Sequence, residues 1–187
     1  FSLVEMGAGD GLKTKLLLAH FLEQKVDFSY RPIDISDTAL TQLTASLAKE
    51  MPALRVAGIQ NEYFAAIERL GLDSKEKLVI LLLGSNIGNF TPEAAKRFLT
   101  LLGEKVRPGD QILIGFDLKK DPDMVRAAYN DRAGVTAAFN KNLLKRINRE
   151  FQANFDLDKF SFYPIYDPIS GEVNSYLVSQ VQQQVII

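Results

Sequence analysis

An α/β fold on a doubly wound, mostly parallel sheet is the architecture this sequence predicts, and three observations predict it. Strand-like and helix-like segments alternate through the first 117 residues. Leu78 to Leu83 is apolar without alternation, as a strand buried on both faces of a parallel sheet must be. Gly7-Ala8-Gly9-Asp10-Gly11 lies between the first strand and the first helix, where such sheets approach a nucleotide.

Ser2 to Met6 is a short apolar strand. The helix after the glycine turn carries Leu16, Leu17, Phe21 and Leu22 at helical spacing. Phe28 to Ile33 is the second strand, ending at Asp34, and Ser36 or Asp37 can cap the helix carrying Leu40, Leu43, Leu47 and Ala48. Pro52 stops that helix. Leu54 to Ala57 reads as the third strand, and Glu62 to Leu70 as a short helix with Gly71 as its C-cap. Leu78 to Leu83 is the fourth strand. Thr91-Pro92-Glu93 opens a helix running to about Leu102, with proline at the first helical position. Pro108-Gly109-Asp110 is a turn, and Gln111 to Phe116 is the fifth strand.

After Asp117 the rhythm changes. Asp121-Pro122-Asp123 opens a short helix through Tyr129, and Gly134 to Phe151 is a longer one with Phe139, Leu143, Leu144 and Ile147 on one side. Phe160 to Tyr166 and Val173 to Val181 read as an antiparallel hairpin across Asp167-Pro168-Ile169-Ser170-Gly171. Val185 to Ile187 is a candidate further strand.

The 187 residues suffice for one domain plus a small second lobe. A composition of 47% hydrophobic and 24% charged residues is that of an ordinary globular protein, and a net charge of −1 argues against nucleic acid as the main partner. The absence of cysteine excludes disulfides, thiolate chemistry and Cys-type zinc sites, and leaves a cytoplasmic setting as the expectation. No stretch approaches the length of a membrane span, and no signal peptide is visible, so no membrane partner is expected. The chain begins at Phe1 with its first strand almost at once and reads as a fragment of a longer protein. Nothing in it speaks to oligomeric state.

The glycine turn discriminates between two cofactor classes. A dinucleotide fingerprint, G-x-G-x-x-G, would place glycine where Leu12 stands. Glu5-x-Gly7-x-Gly9-x-Gly11 instead resembles motif I of the class I methyltransferases, which bind S-adenosylmethionine (SAM). The plain alternative is a tight turn with no ligand. Asp34, 27 residues after Gly7, is placed to accept the ribose hydroxyls of an adenosine in either cofactor. Glu62-Tyr63 follows the third strand, the region that meets adenine in SAM enzymes. Gly84-Ser85-Asn86-Ile87-Gly88-Asn89-Phe90 follows the fourth, where methyl group and acceptor meet; Asn86 and Asn89 are neutral hydrogen-bonding groups suited to an amine or a carboxylate.

Longer stretches carry a more specific resemblance. Glu5 to Thr14, Pro32 to Ser36, Leu83 to Pro92, Asp117 to Asp121 and Ala128 to Asn140 resemble the histidine-specific Nα-methyltransferase family of ergothioneine biosynthesis, and Asn148-Arg149-Glu150 and Phe155-Asp156 continue the match. The resemblance implies a class I, Rossmann-like methyltransferase core over residues 1–119 and part of a smaller α+β substrate lobe over residues 120–187. A closing pair of the parallel sheet is the other reading of the hairpin.

The resemblance also implies transfer of methyl groups from SAM to the α-amino nitrogen of L-histidine or a related amino acid, up to three times. Gly7, Gly9, Lys13, Asp34, Glu62, Tyr63, Gly84 and Ser85 form the expected cofactor set, while Asn89 and Tyr129 hold the amino acid's backbone groups. No metal and no catalytic acid or base is implied. Many members have Gly-Asp-Phe where this chain has Gly58-Ile59-Gln60-Asn61-Glu62-Tyr63, so Glu replaces Asp and Tyr replaces Phe. Family members carry an earlier segment and a C-terminal continuation that read the substrate side chain. A non-catalytic or truncated SAM-binding module of a larger protein is therefore the rival, and an NAD-binding oxidoreductase domain the weaker third.

Among isolated features, His20 reads as a surface or half-buried helix residue. Asp121, Asp123 and Asp131 read as caps and turns, and Lys13 with Lys15 as a solvated helix face. Tyr163 and Tyr166 should point to opposite faces of their strand.

Overall fold

The computed structural model describes residues 1–69 and 76–187, so the expected C-cap at Gly71 and the last helical residue, Leu70, lie outside the described residues. The chain forms two compact units, Phe1–Asp117 and Leu118–Ile187.

The first unit runs β1 (Ser2–Met6), α1 (Leu12–Glu23), β2 (Ser29–Asp34), α2 (Asp37–Glu50), β3 (Arg55–Val56), β4 (Ile59–Gln60), α3 (Tyr63–Arg69), β5 (Leu78–Leu82), α4 (Pro92–Lys105) and β6 (Gln111–Ile114). The sheet order is β3-β2-β1-β5-β6, with β4 pairing the far end of β2. All of its pairings are parallel. The chain builds outward from β1 on one side, then returns to build on the other, so the direction of winding reverses beside β1.

Both faces of the sheet are covered, which explains the unbroken apolar strands. Leu3, Tyr30 and Leu81 pack with Leu18 of α1 and with Leu43 and Leu47 of α2. Val4, Met6, Ile33, Ile80 and Leu82 pack with Ile67 of α3 and with Phe98 and Leu102 of α4. Successive residues of one strand thus feed two cores. Ser36 caps α2 by accepting from the Ala39 amide, and Thr91 caps α4 by accepting from Ala94.

Four details depart from the sequence expectation. Leu16 is 76% exposed, because it lies about 200° around α1 from Leu18, and Thr14 and Leu18 take the sheet-facing side. Lys15 is not solvated: its ammonium donates to Ser46 at 2.5 Å and to Glu50 at 2.9 Å, tying α1 to α2. The third strand is two short ones, broken at Ala57 and Gly58. A Cβ on Gly58 would lie 3.3 Å from Thr44 Cγ2, so the chain runs tight against α2 at the break. β6 ends at Ile114, although the Gly115 amide still donates to Leu82 O at 2.9 Å.

The second unit contains α5 (Pro122–Tyr129), α6 (Val135–Phe151), β7 (Phe160–Tyr166) and β8 (Val173–Ser179). Asp121 caps α5 by accepting from Asp123 and Met124, and Asp131 accepts from the Val135 and Thr136 amides that open α6. Asp123 pairs loosely with Arg126 on the surface, at 3.6 Å. β7 and β8 form an antiparallel two-stranded sheet of their own, not the closing pair of the parallel sheet. Tyr166 is half-buried and Tyr163 exposed, as their odd spacing requires. Only Leu144 is buried on α6; Phe139 and Leu143 are 78% and 57% exposed, so the apolar side of that helix is only partly covered. Val185 to Ile187 forms no strand; the Ile186 amide donates instead to Asn154 Oδ1 at 2.8 Å.

Candidate functional site

The turn after β1 is pinned from both sides. The Gly7 and Ala8 amides donate to Ile33 O of β2, at 2.8 and 3.1 Å. The Gly9 amide donates to Asp34 Oδ2 at 2.9 Å, and Asp34 Oδ1 accepts from the Ser36 amide at 2.9 Å. Gly7 has φ +76°, and a Cβ there would fall 2.2 Å from the Tyr63 hydroxyl and 2.9 Å from Asn86 Nδ2. Gly11, at φ +66°, stands just before α1, where a Cβ would fall 2.5 Å from Leu43 Cδ1. The turn therefore needs glycine for close approach as well as for conformation.

Two cavities open at the carboxyl ends of the central strands, and both reach Gly7. One, of about 340 Å³, is lined by Glu5, Asp10, Lys13, Gly84 and Asn86 among others. The other, of about 290 Å³, is lined by Asp34, Ile35, Glu62, Tyr63, Phe64 and Phe90. The first presents both signs of charge. The second sets aromatic and aliphatic surface beside carboxylates. Tyr63, in the wall of the second, stands over Gly7, and its phenol is pushed above the ordinary range by burial and by the Asp34 carboxylate.

Beneath the first cavity lies a buried carboxylate. Glu5 is 5% exposed; its Oε1 accepts from the Thr14 hydroxyl at 2.6 Å, and its Oε2 from the Tyr30 hydroxyl. Burial pushes the Glu5 carboxyl above its usual range, and the two hydrogen bonds oppose that shift.

The structure brings Gly7, Lys13 and Gly84 to the first cavity and Gly7, Asp34, Glu62 and Tyr63 to the second. Gly9 contributes its amide to the Asp34 clamp. Ser85 lines neither cavity: it has φ +58°, and its hydroxyl accepts from the Asp117 amide at 2.5 Å. Asn89 is exposed at the end of a one-turn 3-10 helix, Asn86–Asn89, and lines neither of the two. Tyr129, in the second unit, lines a smaller cavity of about 120 Å³ with Val125, Arg126, Phe162 and Tyr166. Asn86, read from the sequence as a group suited to an amine or a carboxylate, does line the first cavity, whereas Glu5, Thr14, Ile35 and Phe90 were not assigned a contact from the sequence. Glu5 had a visible signal, a lone acid inside an apolar strand; Ile35 and Phe90 had none beyond their place after a strand. Among the described residues no group of three acids or histidines could hold a metal, and no helix is long and apolar enough to cross a membrane.

A parallel sheet that reverses beside β1, a glycine turn at that point and an acid closing the neighbouring strand define a Rossmann-like domain of the class I SAM-methyltransferase type. Comparison with known proteins narrows the class. The family model described as histidine-specific methyltransferase, SAM-dependent, matches residues 1–187, and the chain belongs to that family. It is 35% identical to the histidine N-alpha-methyltransferase of Mycolicibacterium smegmatis and 34% identical to that of Mycobacterium tuberculosis, in each case across 98% of this chain and 57% of the relative. Ergothioneine biosynthesis protein 1 of Schizosaccharomyces pombe is 27% identical across 99% of this chain and 25% of its own length. The chain thus spans little more than half the length of the two mycobacterial relatives.

Proposed function

We propose that this chain carries the cofactor half of an enzyme that methylates the α-amino nitrogen of L-histidine or a closely related amino acid. The observation that carries the reading is the pair of unlike cavities meeting at Gly7. SAM is a nucleoside joined to an amino acid, and the two cavities differ in the same sense. The aromatic and aliphatic walls of the second suit adenine, and Asp34, held on Gly9 and Ser36, suits the ribose hydroxyls. The first cavity offers Lys13 to a carboxylate and Glu5 to an ammonium. The residues present therefore fit the cofactor.

When bound, SAM supplies an electrophilic methyl group on a sulfonium. The work left to the protein is to hold and align, which supplies most of the rate in such a displacement. Gly84 and Asn86, after β5, bound the cavity with neutral groups. Asn89 and Tyr129 are assigned to the acceptor's backbone groups by the family resemblance alone, and the second unit is assigned to the substrate on the same ground. The acceptor is thus a small amino acid; a cytoplasmic setting belongs to the same proposal.

The test is calorimetric titration of the chain with SAM and, separately, with NAD, using Asp34→Ala as control, followed by incubation with SAM and L-histidine and mass analysis of the product. Binding of SAM that the variant weakens, without response to NAD, supports the cofactor assignment. Binding of NAD in place of SAM overturns it. Methylation of histidine supports the acceptor, and methylation of another amino acid in its place overturns that part alone.

A further inference from the structure

We infer that Tyr30 is a positioning residue for the cofactor: through its hydroxyl it holds the Glu5 carboxylate ionised and aimed at the cationic amino-acid end of the bound molecule. The inference rests on the cofactor assignment above and adds a residue that touches no part of the cavity.

Tyr30 is fully buried in β2, with its ring in the core shared by Leu3, Leu18 and Leu43. Phenylalanine would fill that core equally well. A phenol there, set against a carboxylate, costs desolvation that simple packing does not require. Its hydroxyl reaches Glu5 Oε2, while Thr14, from α1, reaches Oε1 at 2.6 Å. The two donors come from different elements and hold one carboxylate oxygen each. Glu5 is thereby fixed in rotation, and its carboxylate lines the cavity whose other ionisable side chains are Asp10 and Lys13. From β5, the residue paired with Glu5 is apolar Leu81. Lys13, the cation that shares this cavity, is exposed.

A carboxylate at the floor of a cavity, held by two neutral donors, is a counter-charge for a cationic ligand. Hydrogen bonds to the ionised form favour ionisation, and burial opposes it. The phenol itself is driven well above its ordinary range by burial and by Glu5, so it remains a donor at acid and neutral pH. Removing it leaves Glu5 with one donor in the same buried place. Glu5 then protonates at higher pH, and the cavity loses its negative charge as the pH falls.

The experiment is titration of the wild-type chain, Tyr30→Phe and Thr14→Val with SAM and with S-adenosylhomocysteine, at steps from pH 5 to pH 8. S-adenosylhomocysteine keeps the ammonium and lacks the sulfonium. For both ligands, Tyr30→Phe should weaken binding by about ten-fold at the acid end and converge on wild type at the alkaline end, as the loss of one hydrogen bond to the charged form requires. Thr14→Val should move the profile in the same direction, and it decides the matter if Tyr30→Phe does not fold. The same loss at every pH marks a structural role only and overturns the inference, as does an unchanged profile. A loss confined to SAM means Glu5 faces the sulfonium and overturns the stated aim. Failure of the wild-type chain to bind SAM overturns the cofactor assignment instead, and is seen before any variant is compared.

Discussion

Asp34 Oδ2 accepts a 2.9 Å hydrogen bond from the Gly9 amide, so the acid that closes β2 also sets the turn that follows β1. Its other oxygen accepts from the Ser36 amide, just before α2. One carboxylate thus joins the two elements on which an adenosine would rest. Because both oxygens face donors, an amide cannot replace the acid: one of its two ends would set N–H against N–H. Asp34→Asn is therefore expected to fail almost as badly as Asp34→Ala. Losing a charged hydrogen-bond acceptor costs on the order of 1.5–3 kcal/mol, so SAM affinity should fall by roughly ten- to one-hundred-fold in calorimetry. An Asn variant that binds like wild type would show that the charge is not used.

Gly7→Ala tests the crossing point of the two cavities. The left-handed backbone costs a non-glycine residue about 1–2 kcal/mol, and the new methyl would meet the Tyr63 hydroxyl at 2.2 Å. Thermal unfolding should fall by several degrees, and SAM binding should be lost. Adding Tyr63→Phe removes the closest clash but leaves Asn86 Nδ2 at 2.9 Å, so part of the lost stability should return, and not all of it. A double variant no better than Gly7→Ala alone would place the cost in the backbone.

Asp131 should make the second unit sensitive to strong acid. Hydrogen bonds from the Thr136 hydroxyl and from the Thr136 and Val135 amides hold its carboxyl down from 3.8 to about 2. The folded-state value lies below the unfolded one, so the contribution is complete above the unfolded value and fades as the pH falls through about 2. Helix content followed by circular dichroism from pH 5 to pH 1.5 should decline in that window. Asp131→Asn should be less stable at neutral pH and should lose this pH dependence; an unchanged acid profile in that variant would assign the transition to other groups.

Asn148 and Phe155 make a reciprocal pair. The Asn148 amide nitrogen donates to Phe155 O, and its oxygen accepts from the Phe155 amide, both at 2.8 Å. The pair closes the loop after α6 where few side chains are buried. Asn148→Ala removes both bonds at a cost of about 1–3 kcal/mol. Asn148→Asp keeps the acceptor but turns a carboxylate toward Phe155 O, so it should rescue little of the loss. Chemical denaturation of the three forms measures this, and near-wild-type stability in the Asp variant would refute the paired geometry.

Much of the first unit was legible because its strands have to be apolar on both sides. Leu78–Leu82 could hardly be anything but a central strand, and Gly7, Gly9 and Asp34 stand at strand ends, where a parallel sheet gathers its ligand contacts. Caps were legible for the same local reason: Ser36, Thr91 and Asp121 satisfy amides two or three residues away. The second unit was less legible. Its apolar residues do not mark its core, since Phe139 and Leu143 share the helical spacing of Leu144 and remain exposed.

By itself the amino-acid order determined the alternation of elements, the parallel sheet, the glycine turn and the acid that answers it, because each follows from periodicity or from conformational restrictions over a few residues. Only the tertiary structure decided that Leu18, not Leu16, faces the sheet, that Lys15 is spent on Ser46 and Glu50, and that Ser85 serves the Asp117 amide and lines neither cavity at Gly7. It alone joined Glu5 to Thr14 and Tyr30, 9 and 25 residues away. The physical reason is that a buried carboxylate must find its donors wherever the packed strands and helices bring them, and no local pattern encodes a partner in another element.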